Sequence, residues 1–331
     1  MNKNRSIVVC PGSINPDFVI RSEKPLRLIN RTTTFAGQSS VYAGGKGRNQ
    51  AVAAKRASKT GVAVTLVGAV GNDMLGREAI SLIKKEGIAT NCIIQKKNVE
   101  TGKCILSIHK GGYQIVGLDL AANLALTRND IDRAIPAIRR ASVLVAQIEN
   151  GERNTAYALA QARRHHCLTV LNPSIVPNDT AYVNHRVLPY TDVLVLNMQE
   201  TEDLLGQRVD MCTDSIVQAM KRLAAYGIPA VIVTIGDKGS LTYHAESDSF
   251  EHIKAFEVKE VDTVACGDVF VGALVAALCE HQEGTIVSSE NLRIFVRFAT
   301  AAAALAVTKI GASESAPTRK EIVRLMRKRK A

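Results

Sequence analysis

The sequence predicts an α/β protein: a mostly parallel central sheet covered by helices on both faces, with a small β-sheet lid. Three observations carry this. Apolar runs of strand character occupy Ser6 to Cys10, Ala63 to Gly68, Val143 to Ile148, Leu168 to Leu171, Asp192 to Leu196 and Ala230 to Thr234. Helical patterns lie between them, as at Asn49 to Ser58, Leu75 to Glu86, Asn154 to His165 and Ser215 to Tyr226. Strand, helix, strand in this rhythm makes a parallel sheet buried on both faces. Two segments break the rhythm. Asp17 to Tyr42 is polar and irregular, and Gly102 to Gly117 alternates about a Lys110-Gly111-Gly112 turn, which is hairpin chemistry. Both are expected to form the lid, at roughly 17–42 and 100–117. With no internal repeat or low-complexity linker, the lid belongs to a single domain spanning 1–331.

At 331 residues, 46% of them apolar, the chain can bury a large core as one domain. No apolar run reaches the roughly 18 residues a membrane helix needs. Met1-Asn2-Lys3-Asn4-Arg5 leads straight into a short apolar strand, unlike a signal peptide, so the expected compartment is the cytoplasm, with organelle targeting left open. The seven cysteines, an odd number with no Cys-x-x-Cys spacing, suggest free thiols and neither a disulfide frame nor a zinc site. His165-His166 also lacks partners at ligand spacing. The formal charge of +11 is scattered, apart from Arg319-Lys320 and the tail Arg327-Lys328-Arg329-Lys330. With only 4% aromatic residues there are few stacking platforms, so no nucleic-acid partner is expected. The positive field suits an anionic substrate.

Ligands of open α/β sheets bind outside the carboxyl ends of the strands. The first strand is followed by Gly12-Ser13-Ile14-Asn15-Pro16-Asp17, whose Asn15 and Asp17 can hydrogen-bond a polyol. Gln147 and Glu149 follow the strand near 143, and Asn197 and Glu200 the strand near 193. Thr234-Ile235-Gly236-Asp237-Lys238-Gly239 closes the next, with two glycines that permit a phosphate to approach the backbone. Gly44-Gly45-Lys46-Gly47-Arg48-Asn49-Gln50-Ala51 is a glycine-rich turn running into a helix. It is not a Walker A loop, which would need Gly at 40 and Ser or Thr at 47 where this chain has Ser40 and Gly47. No G-x-G-x-x-G follows the first strand. The turn is expected to bring Lys46 and Asn49 to a small hydroxylated substrate, although it also suits an ordinary helix start.

The most informative stretch is Val261-Asp262-Thr263-Val264-Ala265-Cys266-Gly267-Asp268. It puts a carboxylate after a small-residue turn and before an apolar helix expected from Phe270 to Leu278. The N–H groups of Ala265 to Asp268 then belong to a helix start, which attracts anions. Asp268 there can deprotonate an alcohol beside charge-stabilising donors. The same stretch equally suits a carboxylate that merely caps the helix.

Taken together, these motifs resemble the ribokinase family of the ribokinase and phosphofructokinase B superfamily of sugar kinases, from about Ile7 to Pro317. The Gly-Gly-Lys-Gly-x-Asn-Gln-Ala form is the most discriminating. The resemblance implies a Rossmann-like core, a lid that pairs two subunits into a homodimer, and ATP-dependent phosphorylation of D-ribose at O5. It implies that Asn15, Asp17, Gly45, Lys46, Asn49 and Glu149 hold the sugar, that Asp268 takes the proton, and that the N–H groups of Ala265, Cys266 and Gly267 form the anion hole. Asn197, Thr234, Gly236, Asp237, Gly239, Gly267 and Thr300 fall at its nucleotide positions. Asn197 and Glu200 match its element that orders Mg²⁺ through water. A K⁺ ion is implied at Asp262, at the carbonyls of Val264, Ala306, Lys309 and Gly311, and at the hydroxyl of Ser315. Other readings are a kinase of deoxyribose, fructose or a nucleoside, or a catalytically silent binder. Four positions depart from the family pattern. Cys266 replaces a small residue, and a thiol at a helix start is expected to have a lowered pKa. Val264 stands where Thr is common, Thr300 bears on nucleotide preference, and Pro16 is expected to stiffen a turn.

Overall fold

The computed structural model describes residues 6–22, 37–109, 112–281 and 288–328. Among these, an eight-stranded sheet runs Ala63–Leu66, Ser6–Val9, Val143–Ala146, Leu168–Leu171, Val193–Asn197, Ala230–Thr234, Ser240–His244, Ser249–Ile253. It is parallel up to Ala230–Thr234, and the last two strands extend it antiparallel. The inner strands are short, apolar and buried on both faces, as a sheet between two helical layers requires, while the edge strands Ala63–Leu66 and Ser249–Ile253 are partly exposed. Val143 and Val145 pack into one layer and Leu144 and Ala146 into the other, following the two-residue period of a strand. Each buried Val or Leu contributes roughly 1.5–3 kcal/mol.

The first helical layer positions the chemistry. Helix Cys266–Glu280 crosses helix Lys46–Ala57 at Gly272, where an added Cβ would stand 2.6 Å from the Gln50 carbonyl oxygen and 2.5 Å from the Ala53 Cβ. Backbone-to-backbone contact at that crossing draws Asn49 and Gln50 towards the start of the neighbouring helix.

A second, four-stranded sheet has the order Gly37–Gly44, Asn15–Ser22, Lys103–His109, Gly112–Asp119. It occupies the segments expected to form the lid, with strands that reach slightly beyond 17–42 and 100–117. Residues 23–36 and 110–111 of those segments, and 329–330 of the basic tail, lie outside the described residues. Strand alternation puts Asp17, Val19 and Arg21 on one face and Phe18 on the other. Val19 packs with Cys104 and Leu106.

Several boundaries differ from expectation. The run Ala63 to Gly68 divides at Val67, and Gly68–Gly71 pairs instead with Ile93–Lys96 in a two-stranded sheet. The helix expected from Asn49 begins at Lys46, and that expected from Phe270 begins at Cys266. Glycines and charged residues, Lys46-Gly47-Arg48 in one and Cys266-Gly267-Asp268 in the other, hid both first turns. Pro16 stiffens no turn: it lies within a strand, opposite Ala43.

Candidate active site

Asp268 is the third residue of its helix and does not cap it. The N-cap is Ala265, in the left-handed region at φ 59°, with no side-chain cap. That conformation costs a non-glycine residue roughly 1–2 kcal/mol. The Asp268 carboxylate instead faces the neighbouring helix, accepting from Asn49 Nδ2 at 3.0 Å and from Gln50 Nε2 at 3.1 Å. Gln50 is itself held, donating to Asn172 Oδ1 at 3.0 Å and accepting from Gln147 Nε2. Burial pushes Asp268 up to about 6, against the opposing pull of Lys46 and the two amide donors. A base in that range is ionised at neutral pH and close enough to it to move a proton efficiently.

Beside it, the N–H of Cys266 makes a long 3.4 Å bond to the Thr263 carbonyl. A Cβ added at Gly267 would meet nothing within 4 Å, so the helix start opens onto free space. The Cys266 thiol differs from expectation: burial, with the Asp268 carboxylate second, raises it to about 11. Desolvation outweighs the helix dipole there.

Four of the polyol-binding candidates, Asn49, Lys46, Asp17 and Glu149, act on the same carboxylate through a hydrogen bond or through charge. Asp17 is pushed up to about 7, by burial first and then by the charges of Asp268 and Glu149. Asn15 Oδ1 accepts from Asn123 Nδ2 at 2.8 Å, and Asn123 Oδ1 takes the Ile14 N–H at 3.0 Å. Glu149 accepts from Ser13 Oγ and, at 2.8 Å, from Ser174 Oγ. The glycines of the motif are steric necessities. Gly45 has φ 88°, and a Cβ on Gly44 would fall 1.9 Å from Asp17 Oδ2. Asn49 Oδ1 is buried without a hydrogen-bond partner, a loss of about 1–3 kcal/mol that a ligand donor would recover.

The nucleotide-side candidates divide. Asn197 and Glu200 form a reciprocal capping box: Asn197 Oδ1 accepts the Glu200 N–H at 2.8 Å and Glu200 Oε2 the Asn197 N–H at 2.9 Å. Burial raises the pKa of Glu200, whose Oε1 lies 3.9 Å from Lys46 Nζ. Among the described residues no group of three or more His, Cys, Asp or Glu could hold a metal ion. One buried carboxylate beside an exposed amide suits Mg²⁺ that keeps its waters and arrives on phosphates. Thr234 donates to the Leu196 carbonyl at 3.2 Å, Gly236 faces open space and Asp237 is exposed. A Cβ on Gly239 would stand 2.0 Å from the Ile253 carbonyl oxygen, so the fold itself needs this glycine. Thr300 is buried and donates back to Val296 at 2.8 Å.

The residues implied for potassium gather only in part, and they do not fit an added cation. Asp262 Oδ1 accepts the Val264 N–H at 3.1 Å, while its Oδ2 accepts the Gly311 N–H at 3.3 Å and Arg21 Nη2 at 2.8 Å. A buried carboxylate needs one compensating charge, and Arg21 supplies it. A second cation on the same group would be repelled. Nearby, the Lys309 N–H goes to the Ala306 carbonyl at 3.0 Å and the Ser315 hydroxyl to the Ala312 carbonyl at 2.7 Å.

Residues 6–319 match the family model for pfkB family carbohydrate kinases. The chain belongs to the pfkB family. It is 31% identical over 322 residues to the ribokinase of Staphylococcus aureus, covering 95% of this chain and 98% of that one. The ribokinase of Haemophilus influenzae is also 31% identical over 322 residues, with 97% and 99% covered. Against the bifunctional ribokinase/ribose-5-phosphate isomerase A of Fructilactobacillus sanfranciscensis, 31% identical, the chain spans 56% of the length. Among solved structures, ribokinase from Giardia lamblia superposes with TM-score 0.89 at 26% identity, covering 98% of this chain and 99% of that one. Ribokinase from Thermotoga maritima gives 0.77 at 29% identity, with 97% and 98% covered. The pfkB core and its smaller sheet agree with the expected architecture.

Sequence reasoning missed Gln50, Asn172, Asn123, Ser13, Ser174 and Arg21 as contributors. Gln50 and Ser13 lay inside the motifs, and Asn172 is the first residue after strand Leu168–Leu171, where the strand-end rule would have found it. Arg21 carried no signal.

Proposed function

We propose that this pfkB-family kinase transfers the γ-phosphoryl group of ATP to O5 of D-ribose, giving D-ribose 5-phosphate and ADP. The observation that carries this reading is Asp268, buried and held by two amide donors at an uncapped helix start. Asp268 takes the proton of the primary alcohol as its oxygen bonds to the γ-phosphorus and the bond to the β,γ-bridging oxygen breaks. The N–H groups of Ala265, Cys266 and Gly267 stabilise charge on the moving group, a function that preorganised donors serve well. Asn15, Asp17, Gly45, Lys46, Asn49 and Glu149 hold the sugar hydroxyls. The Asn49 oxygen is oriented by the bond its own nitrogen makes to Asp268. Asn197 and Glu200 hold, through water, the Mg²⁺ that neutralises phosphate charge when bound. Thr234, Gly236, Asp237 and Thr300 lie towards the nucleotide.

The smaller sheet serves as a lid within one domain, and its outer row Val41, Phe18, Ile105 supports a homodimer. These three are neighbours across the strands, and Val41 and Ile105 are 60% and 41% exposed. The free thiols suit a cytoplasmic enzyme. No described helix is long and apolar enough to cross a membrane.

ADP release with ATP and Mg²⁺ against ribose, deoxyribose, fructose, adenosine and no sugar tests the proposal. Fastest turnover on ribose is expected. Preference for another sugar would change the substrate and keep the mechanism, whereas turnover on none would reject a kinase role.

A further inference from the structure

We propose that Arg21 is a built-in replacement for the monovalent cation at Asp262, so that this kinase works without potassium. The segment leading into the anion hole, residues 261–264, is held by Asp262. That carboxylate takes the Val264 N–H on one oxygen and the Gly311 N–H and Arg21 Nη2 on the other. The Asp262 side chain is 3% exposed and that of Arg21 24%, so the pair is shielded on one side and reachable from solvent on the other. A guanidinium serves here as a small cation would, with the difference that its donors are directional and its charge is permanent. The Val261 and Asp262 N–H groups both donate to the Val307 carbonyl, at 2.7 and 3.1 Å, which ties the same segment to the 306–311 turn. Asp262 thus joins that turn to Val264, directly before the strained Ala265.

A second arginine reinforces the reading. Arg48 stands at the variable position of the glycine-rich motif, is buried, and donates from Nη1 to the Ala43 carbonyl at 2.6 Å and to the Ser313 hydroxyl. Burial lowers the pKa of its guanidinium, and the Glu314 charge opposes that shift. Two guanidinium groups therefore brace Asp262 and the 311–315 loop. Arg21 comes from the smaller sheet, on the face that also carries Asp17, so the cation arrives with the strand that contacts the sugar side. Arg21 is a positioning residue: it acts on the anion hole through Asp262.

The test compares the wild type, Arg21→Gln and Arg21→Lys in potassium and in tetramethylammonium salts at equal ionic strength, by melting temperature and by ADP release with ribose. Only the turnover arm rests on the proposed function; the melting arm stands without it. Expected are equal melting and turnover of the wild type in the two salts, and the same for Arg21→Lys. Arg21→Gln should melt lower in tetramethylammonium, rise on adding potassium, and lose about tenfold in turnover that potassium largely restores. Potassium stimulation or stabilisation of the wild type would overturn the proposal. So would an Arg21→Gln protein that matches the wild type in tetramethylammonium, or one that potassium neither stabilises nor restores. A wild type inactive on every sugar would reject the kinase reading and leave the melting arm to decide this one.

Discussion

Two helix starts point towards the same region, and they are finished in opposite ways. Helix Met198–Leu205 opens with Asn197 and Glu200 satisfying each other's backbone donors. Helix Cys266–Glu280 opens with a strained Ala265, no side-chain cap, and free space beyond Gly267. A completed cap removes donors from the menu of what a helix start can bind, while an open one leaves them to a ligand. The difference teaches that Asp268, although an acidic residue in a first turn, is not spent on its own helix. Its two oxygens are turned to the amides of Asn49 and Gln50.

The largest expected effect breaks the open start. Asp268→Asn should lower turnover by roughly 10²–10⁴, because an amide cannot accept the proton and its NH₂ would oppose one of the two donors. Single-turnover and steady-state ADP release, with ribose affinity measured separately, check this. Unchanged turnover would return Asp268 to a structural role.

A change in pH sharpens the contrast next. Turnover should rise as pH increases through about 6, where Asp268 ionises. Stability should move the other way. Asp17 and Asp268 are raised from 3.8 to about 7 and about 6, so the folded chain holds protons that the unfolded chain has released. From about pH 4 to 7 their contribution falls as pH rises. Melting curves over that range, repeated with Asp17→Asn, measure it; the variant should show the shallower dependence.

The smallest effect is at the closed start. Asn197→Ala removes one half of the capping box and should cost about 1 kcal/mol in urea denaturation. No loss would mean that the cap is incidental and Asn197 is held for a ligand alone.

The parallel sheet was legible because its strands are uninterrupted apolar runs, and most polar candidates were legible because they follow those runs. Asp17 and Glu149 could be picked out because they follow strands, and Asn49 and Asp268 because they open helices after small-residue turns. What could not be read were the partners that polar residues find across long separations in the chain. Asn172 and Gln147 support Asp268 through Gln50, and Asn123 holds Asn15. The lowered thiol expected for Cys266 was wrong because a helix start is visible in sequence and burial is not. That the fold also needs Gly239 sterically could not be read, because glycine has no side chain to show what it must avoid; its neighbour is strand Ser249–Ile253.

By itself the sequence determined the layers, the family and the carboxylate at the start of the apolar helix, since each is written in periodicity or in adjacent residues. Tertiary structure alone decided how these groups are charged and to whom they are bound. Arg21 and Asp262 are separated by most of the chain, and only the folding of the smaller sheet onto the core sets a guanidinium 2.8 Å from that carboxylate. Burial and distance fix ionisation and pairing, and neither has a local signature in the order of residues.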